Sequence, residues 1–304
     1  MMIMINNNER VGIAIGQRHI AAVMINRGRT LSIAESTLTE SDINLFCRDE
    51  YTSLGRCLDS ALKSVASWIG NRYVPVYVAL PDPVIISHAM HFDSFPKKRM
   101  HQHQLVAWQM EKTFHLHNDV LSVAYLKERL NSSRTRVFCT AIDKSLLQTI
   151  NCAFSAVNIE PEAIMMASLY SPIDKVEASK ILSAHIRLNP EYASIVVSNS
   201  KGMPYFTRSF WRTSTNLDSK GKIQEIIKEV YRILHVFMVT KKDKQFEKIT
   251  IDIDNEIERE LFQDHFLNQE NVIFVDKTPN VDSLYSSLEE IHYCYNTALD
   301  AAYI

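Results

Sequence analysis

The sequence predicts an α/β fold built twice, as two lobes around a central cleft. Two observations carry that prediction. Each half opens on a strand, a tight turn and a returning strand, first at Val11–Ile25 and again from Tyr192, and each then adds helix, strand and helix. No low-complexity linker separates the halves. At 304 residues the chain is long enough for two lobes with substantial cores. Residues 1–188 are expected to form the first lobe, with an inserted subdomain at about 74–130, and residues 189–304 the second.

β-Branched apolar runs predict strands at Val11–Ile15, Ala21–Ile25 and Thr30–Ser36, joined by tight turns at Gly16 and at Asn26-Arg27-Gly28. Tyr51 to Gly70 carries Leu54, Cys57, Leu58, Leu62, Val65, Ala66 and Ile69 at helical spacing and stops on glycine, as an amphipathic helix does. Val74–Pro81 reads as an apolar strand, Pro81-Asp82-Pro83 as a break, and Val84–Pro96 as a further extended segment. A helix is predicted from Lys97 through Phe114, and two paired strands at 120–130 and 135–142 around Asn131-Ser132-Ser133. Lys144–Val157 is helical, and the passage from Ile159 to about Leu188 is expected to be mostly helical. The second half then gives a hairpin turning at Lys201-Gly202, a long helix from Lys220, a strand at Phe246–Ile253, a helix at Ile257–Phe266, a strand at Asn271–Asp276 and a closing helix from Leu284.

Composition removes several function classes. Lys+Arg 33 against Asp+Glu 35 gives a formal net charge of -2, so no global field attracts nucleic acid. Seven glycines make neither G-x-G-x-x-G nor G-x-x-x-x-G-K-[ST], which excludes the Rossmann and P-loop readings. The five cysteines are scattered and form no C-x-x-C pair, which fits a reducing compartment, with Cys139 and Cys152 expected in the core. No apolar run approaches the ~18 residues that cross a bilayer, and the start is too short and polar for a signal peptide. A cytoplasmic location is therefore expected.

The layout is that of the actin, sugar kinase and heat-shock ATPase superfamily, a ribonuclease H-like unit used twice. More specifically, "VGIAIGQRHIAAVMI", "VPVYVALPDPVI" followed by "HFDSFP", the helix "HQLVAWQMEKTF" and "FCTAIDKSLLQTINCAFSAVNIEPEAIMMASL" resemble, in that order, the PilM family of actin-like type IV pilus assembly proteins. "YFTRSF", with Arg208, resembles the return of the second-half hairpin. Relatives in MSHA-type pili and the GspL cytoplasmic domains of type II secretion share the pattern. The resemblance implies a cytoplasmic scaffold at the inner-membrane face of a Gram-negative bacterium, which docks the tail of a PilN-like inner-membrane protein and links that platform to the assembly motor ATPase. It implies peripheral membrane association through the partner, and no nucleic acid.

Nucleotide-binding members of the family carry Asp-x-Gly in the first hairpin, where this chain has Ala14-Ile15-Gly16. A second Asp-x-Gly is expected near Val197, where the chain reads Val197-Ser198-Asn199-Ser200, and the adenine-side double glycine is replaced by Asp254-Asn255. Alanine neither accepts a hydrogen bond nor holds a cation beside phosphates. No cofactor is therefore expected, with ATP or ADP as the ligand if the cleft retains one. Gly12, Gly16 and Gln17 are its candidate contacts, glycine letting backbone N–H groups approach an anion; the alternative is that the two glycines only shape strand and turn. The competing function is a divergent ATPase or kinase with carboxylates placed elsewhere.

For the partner's tail, the extended segment contributes Ser87, Met90, Phe92 and Phe95, and the following helix Trp108 and Phe114, as a candidate groove; a plain core role is the alternative. His101, His103, His115 and His117 form two H-x-H pairs whose members point apart on a helix, so they are read as surface residues and no metal is expected. "PKKRMHQH" is a basic helix start, read as a solvated face, with lipid headgroups as the sharper alternative. Asp252 and Asp254 are read as strand-end or solvated acids.

Overall fold

The computed structural model describes residues 9–26, 29–38, 44–70, 72–116, 120–131, 133–170, 181–199, 202–212, 219–240, 245–253, 255–266 and 271–274. β1 (Glu9–Ile15), β2 (His19–Asn26) and β3 (Arg29–Thr37) form the expected antiparallel meander. The amphipathic α1 (Tyr51–Ile69) leads to β4 (Val76–Leu80), which runs parallel to β1. β5 (Ile86–Phe92), α2 (Arg99–Phe114), β6 (Leu121–Arg129) and β7 (Thr135–Asp143) follow, then α3 (Lys144–Ala156) and β8 (Pro161–Met166). Asp143 caps α3, its carboxylate accepting the Ser145 amide. β8 returns beside β4, so the first sheet has the order β3-β2-β1-β4-β8.

β9 (Ile181–Leu188), β10 (Tyr192–Asn199) and β11 (Pro204–Trp211) repeat the meander; α4 (Ser219–Thr240), β12 (Gln245–Ile253), α5 (Glu256–Phe266) and β13 (Val272–Phe274) complete the second sheet in the order β11-β10-β9-β12-β13. The two orders are the same. In each sheet the fourth strand runs parallel to the first of its meander. This is a structural duplication.

Two of these strands differ from the expectation of a mostly helical passage between Ile159 and Leu188. β9 alternates Leu182, Ala184, Ile186 and Leu188 toward the core with Ser183, His185 and Arg187 on the other face, a period of two masked by helix-favouring Ala, Arg and Leu. The second sheet accordingly begins at β9, before the expected boundary at 188/189. Its first hairpin turns at Asn189-Pro190-Glu191, and the expected hairpin around Gly202 follows as β10 and β11. Likewise β4 belongs to the main sheet, and the separate three-stranded sheet, ordered β5-β7-β6, spans β5 through β7 instead of about 74–130. The predicted closing helix from Leu284 and the turn at Arg27-Gly28 lie outside the described residues.

Each lobe has its own core. α1 and α3 pack Leu54, Leu58, Leu62, Ile150 and Phe154 onto Val11, Ile13, Ile15 and Val78. Gly55 lets the two helices close, since a Cβ there would stand 3.2 Å from the Thr149 methyl group. In the second lobe α4 and α5 set Ile223, Ile227, Val230, Phe262 and Phe266 against β9, β10 and β12. Cys139 is buried on β7, which pushes its thiol up to about 12, whereas Cys152 faces solvent on α3, away from Leu146, Ile150 and Phe154.

The inserted sheet is bound on both faces. Met90 packs with Val106 and Met110 of α2, and Phe92, Phe95 and Phe114 flank that cluster. The opposite face meets the second lobe: Ser87 contacts Thr207, Glu128 accepts from Asn199 Nδ2 at 3.1 and 3.2 Å, and the Arg136 guanidinium lies 3.8 Å from the Tyr205 ring centroid.

Candidate functional site

The cleft is set by strand alternation. With Val11, Ile13 and Ile15 turned to the helices, β1 turns Ala14 to the other side, where it packs with Ala21, Val23, Ile25, Ala79 and Ala167. Tyr192, from the start of β10 in the second lobe, is fully buried against that alanine-rich surface. Trp211 sits edge-on to Tyr192 at 6.3 Å and stacks on Phe46 at 6.0 Å. Side chains thus fill the space beside Ala14.

At the rim the two hairpin tips meet. The Gln17 amide, in the turn after Gly16, donates to Glu191 Oε1 at 2.8 Å and Oε2 at 3.0 Å. Glu191 is held in place by its own turn: Asn189 Oδ1 accepts the amides of Glu191 and Tyr192 at 2.9 and 2.8 Å. Arg212 donates its backbone amide to the Glu191 carbonyl and its guanidinium to the Asn189 carbonyl and the Glu258 carboxylate. A carboxylate of the second lobe therefore rests on the first lobe's anion-facing amide.

Behind this rim the second lobe presents a polar floor. Arg187 of β9 and Asp252 of β12 form a buried ion pair at 3.1 Å, and Arg187 also donates to the Ala167 carbonyl. Asp82, in the short 3-10 turn Asp82–Val84 after β4, is fully buried and accepts the Ser168 amide at 3.0 Å. Burial pushes its carboxyl above the ordinary range, opposed by the nearby Ser168 and Ser194 hydroxyls and by Arg187. Among the described residues, Asp82 Oδ2, Ser168 Oγ, Ser194 Oγ and Ser198 Oγ have no assigned hydrogen-bond partner.

The sequence-derived site residues separate. Gly16 and Gln17 lie at the rim, Gln17 contributing its backbone, and Gly12 lies on the strand face shared with Ala14. Val197, Ser198 and Asn199 do not form the second hairpin tip; they lie on β10, paired to β9 and β11. The expected second Asp-x-Gly register falls instead at the β9–β10 turn, read as Arg187-Leu188-Asn189. Asp252 is paired and buried rather than solvated, and Asp254 lies outside the described residues. Of the six candidate groove residues, Ser87 faces the second lobe, Met90, Phe92, Phe95 and Phe114 belong to the cluster under α2, and Trp108 stands on the outer face of α2, 53% exposed. They do not line one groove. Glu191, Tyr192 and Asp82 were not singled out; a charged residue directly after Asn-Pro was the available signal for Glu191. Among the described residues no group of three or more His, Cys, Asp and Glu side chains is placed to hold a metal ion.

No protein-family model and no curated protein matches the chain. Among solved structures it is similar over 98% of both chains to a chain of the PilM-PilN type IV pilus biogenesis complex, at a TM-score of 0.70 and 15% identity. It is also similar to a Bacteroides thetaiotaomicron protein of unknown function with an actin-like ATPase fold, at 0.52 and 14%, over 90% of this chain and 94% of that one. The fold is that of the actin-like ATPases. A third likeness within it is the cytoplasmic domain of EpsL, an inner-membrane component of the type II secretion system of Vibrio cholerae, at 0.50 and 11%, over 81% of this chain and 82% of that one. The actin-like, PilM-like architecture expected from the motifs is thus present. No helix among the described residues is long and apolar enough to cross a membrane.

Proposed function

We propose that the chain is a non-catalytic scaffold of a type IV pilus or related secretion platform, working at the cytoplasmic face of the inner membrane and docking the tail of a PilN-like membrane protein. The observation that carries the non-catalytic part is the Glu191 carboxylate on the Gln17 amide, with Ala14 packed into an apolar layer beside Tyr192. A phosphate arriving there meets a negative charge on its hydrogen-bond donor, and no carboxylate at position 14 to place a cation. The likeness to a chain of the PilM-PilN complex supports the partner.

For the tail, the outer edge of β6 is the better line than the expected groove. β6 pairs only with β7 among the described residues, and Leu126 within it and Leu130 just past its end are 56% and 41% exposed. An extended tail added there gains main-chain hydrogen bonds, with apolar contacts for specificity. Fluorescence anisotropy with a labelled tail peptide tests it: binding with or without Mg-ATP, weakened by Leu126→Lys, is expected, and a strict nucleotide requirement would overturn the reading.

The polar floor favours a second reading, a divergent ATP-binding enzyme that uses Asp82 and Asp252 in place of the missing Asp-x-Gly residues. Calorimetric titration with Mg-ATP and Mg-ADP separates the two. Absence of heat fits the scaffold; tight magnesium-dependent binding fits the enzyme.

A further inference from the structure

α2 buries Gln102, Val106 and Met110 and leaves its opposite face uncovered. Met100, Gln104, Trp108 and Lys112 follow one another at four-residue steps along that face, with Met100 64% and Trp108 53% exposed. Lys97, Lys98 and Arg99 stand exposed at its start, and the Lys112 ammonium lies 5.1 Å from the Trp108 ring centroid. Glu111 is the one acidic residue between Lys97 and Leu116, while Asp93, nearby in sequence, is engaged by Arg134. A chain with a formal net charge of -2 thus places three exposed cations at the start of α2, next to Met100, and a fourth beside Trp108.

We propose that the outer face of α2 is a docking surface for an anionic lipid bilayer. The exposed face of a helix lying over a three-stranded sheet can rest along a plane. Trp108 suits the headgroup level, where its ring is apolar and its N–H stays wet, and Met100 adds a second apolar contact one helical stretch away. The lysines and Arg99 meet acidic headgroups, each adding about fivefold to binding near an anionic surface. This surface is separate from the cleft and from the β6 edge, so its failure leaves the proposed function standing.

The test is flotation of the full chain with vesicles of phosphatidylcholine alone and with phosphatidylglycerol added, read beside Trp fluorescence. At least tenfold enrichment on the anionic vesicles is expected, lost in high salt. Lys97→Gln/Lys98→Gln/Arg99→Gln is expected to lower it about a hundredfold, and Trp108→Phe to remove the blue shift that lipid produces. Both variants change exposed side chains, and an unaltered thermal transition verifies their folding; Lys112→Gln, expected to lose about fivefold, serves if the triple variant is unstable. Equal partition onto neutral vesicles, a charge variant that binds as well as the parent, or binding of poly-glutamate without binding of vesicles would each overturn the proposal.

Discussion

Glu191 and Gln17 join the two lobes: both carboxylate oxygens of one lie within 3.0 Å of the backbone amide of the other. A side chain of the second lobe thus spans to the backbone of the first. Glu191→Ala is expected to cost about 1.5 kcal/mol, the value of a hydrogen bond to a charged acceptor, and to speed amide exchange at Gln17. Glu191→Gln keeps one acceptor and should lose less. Unchanged exchange in Glu191→Ala would mean that the contact does no holding.

An aspartate at position 14 should not create a nucleotide site. Ala14 is 2% exposed amid Ala21, Ala79 and Tyr192, so Ala14→Asp places an unpaired carboxylate in an apolar layer. A loss of about 3 kcal/mol or more is expected, without gain of nucleotide binding. Denaturant unfolding and calorimetry measure the two outcomes separately.

Tyr192 is the largest fully buried side chain passed from one lobe into the other. Tyr192→Ala should cost about 4 kcal/mol. Tyr205→Ala, which removes a half-buried ring under Arg136, should cost about 1 kcal/mol. Chemical denaturation of both variants checks the ranking.

Asp82 carries a pH signature. Its carboxyl is raised by burial, so the folded state holds the proton more tightly than the unfolded chain, and ionisation costs stability as pH rises above the ordinary value of 3.8. Below that value the cost vanishes. Asp82→Asn, which keeps an oxygen for the Ser168 amide, is expected to gain stability over the parent progressively as pH climbs from about 4, then level off. A constant difference across pH would sink the assignment.

The buried pair invites a paired test. Arg187→Met leaves Asp252 ionised in the interior and should cost about 3–5 kcal/mol, whereas Arg187→Met with Asp252→Leu should recover most of that loss. Thermal melts of single and double variants give the coupling directly.

Local pattern made most elements legible. β1 to β3, α1, α3 and α4 follow from alternation or helical spacing, because each has one core face and one other face. β9 was not legible, since its outward positions hold Arg187 and His185, which the second lobe buries in the cleft; polarity that a lone strand would show to water is here satisfied across a distance in sequence. The same long range hid Glu191, whose partner lies 174 residues away. Phe92 of the strand and Phe114 of the helix do meet in the cluster under α2, yet Trp108, on the same helix, stands on its outer face, so nearness along the chain did not become one surface.

The inserted three-stranded sheet, fixed at Ser87–Thr207, Glu128–Asn199 and Arg136–Tyr205, has a mechanical meaning. A load applied at the edge of β6 would pass into the second sheet through Asn199 of β10 and through Tyr205 and Thr207 of β11. A part built this way transmits a pull as a strut does, whether its two halves open or stay shut.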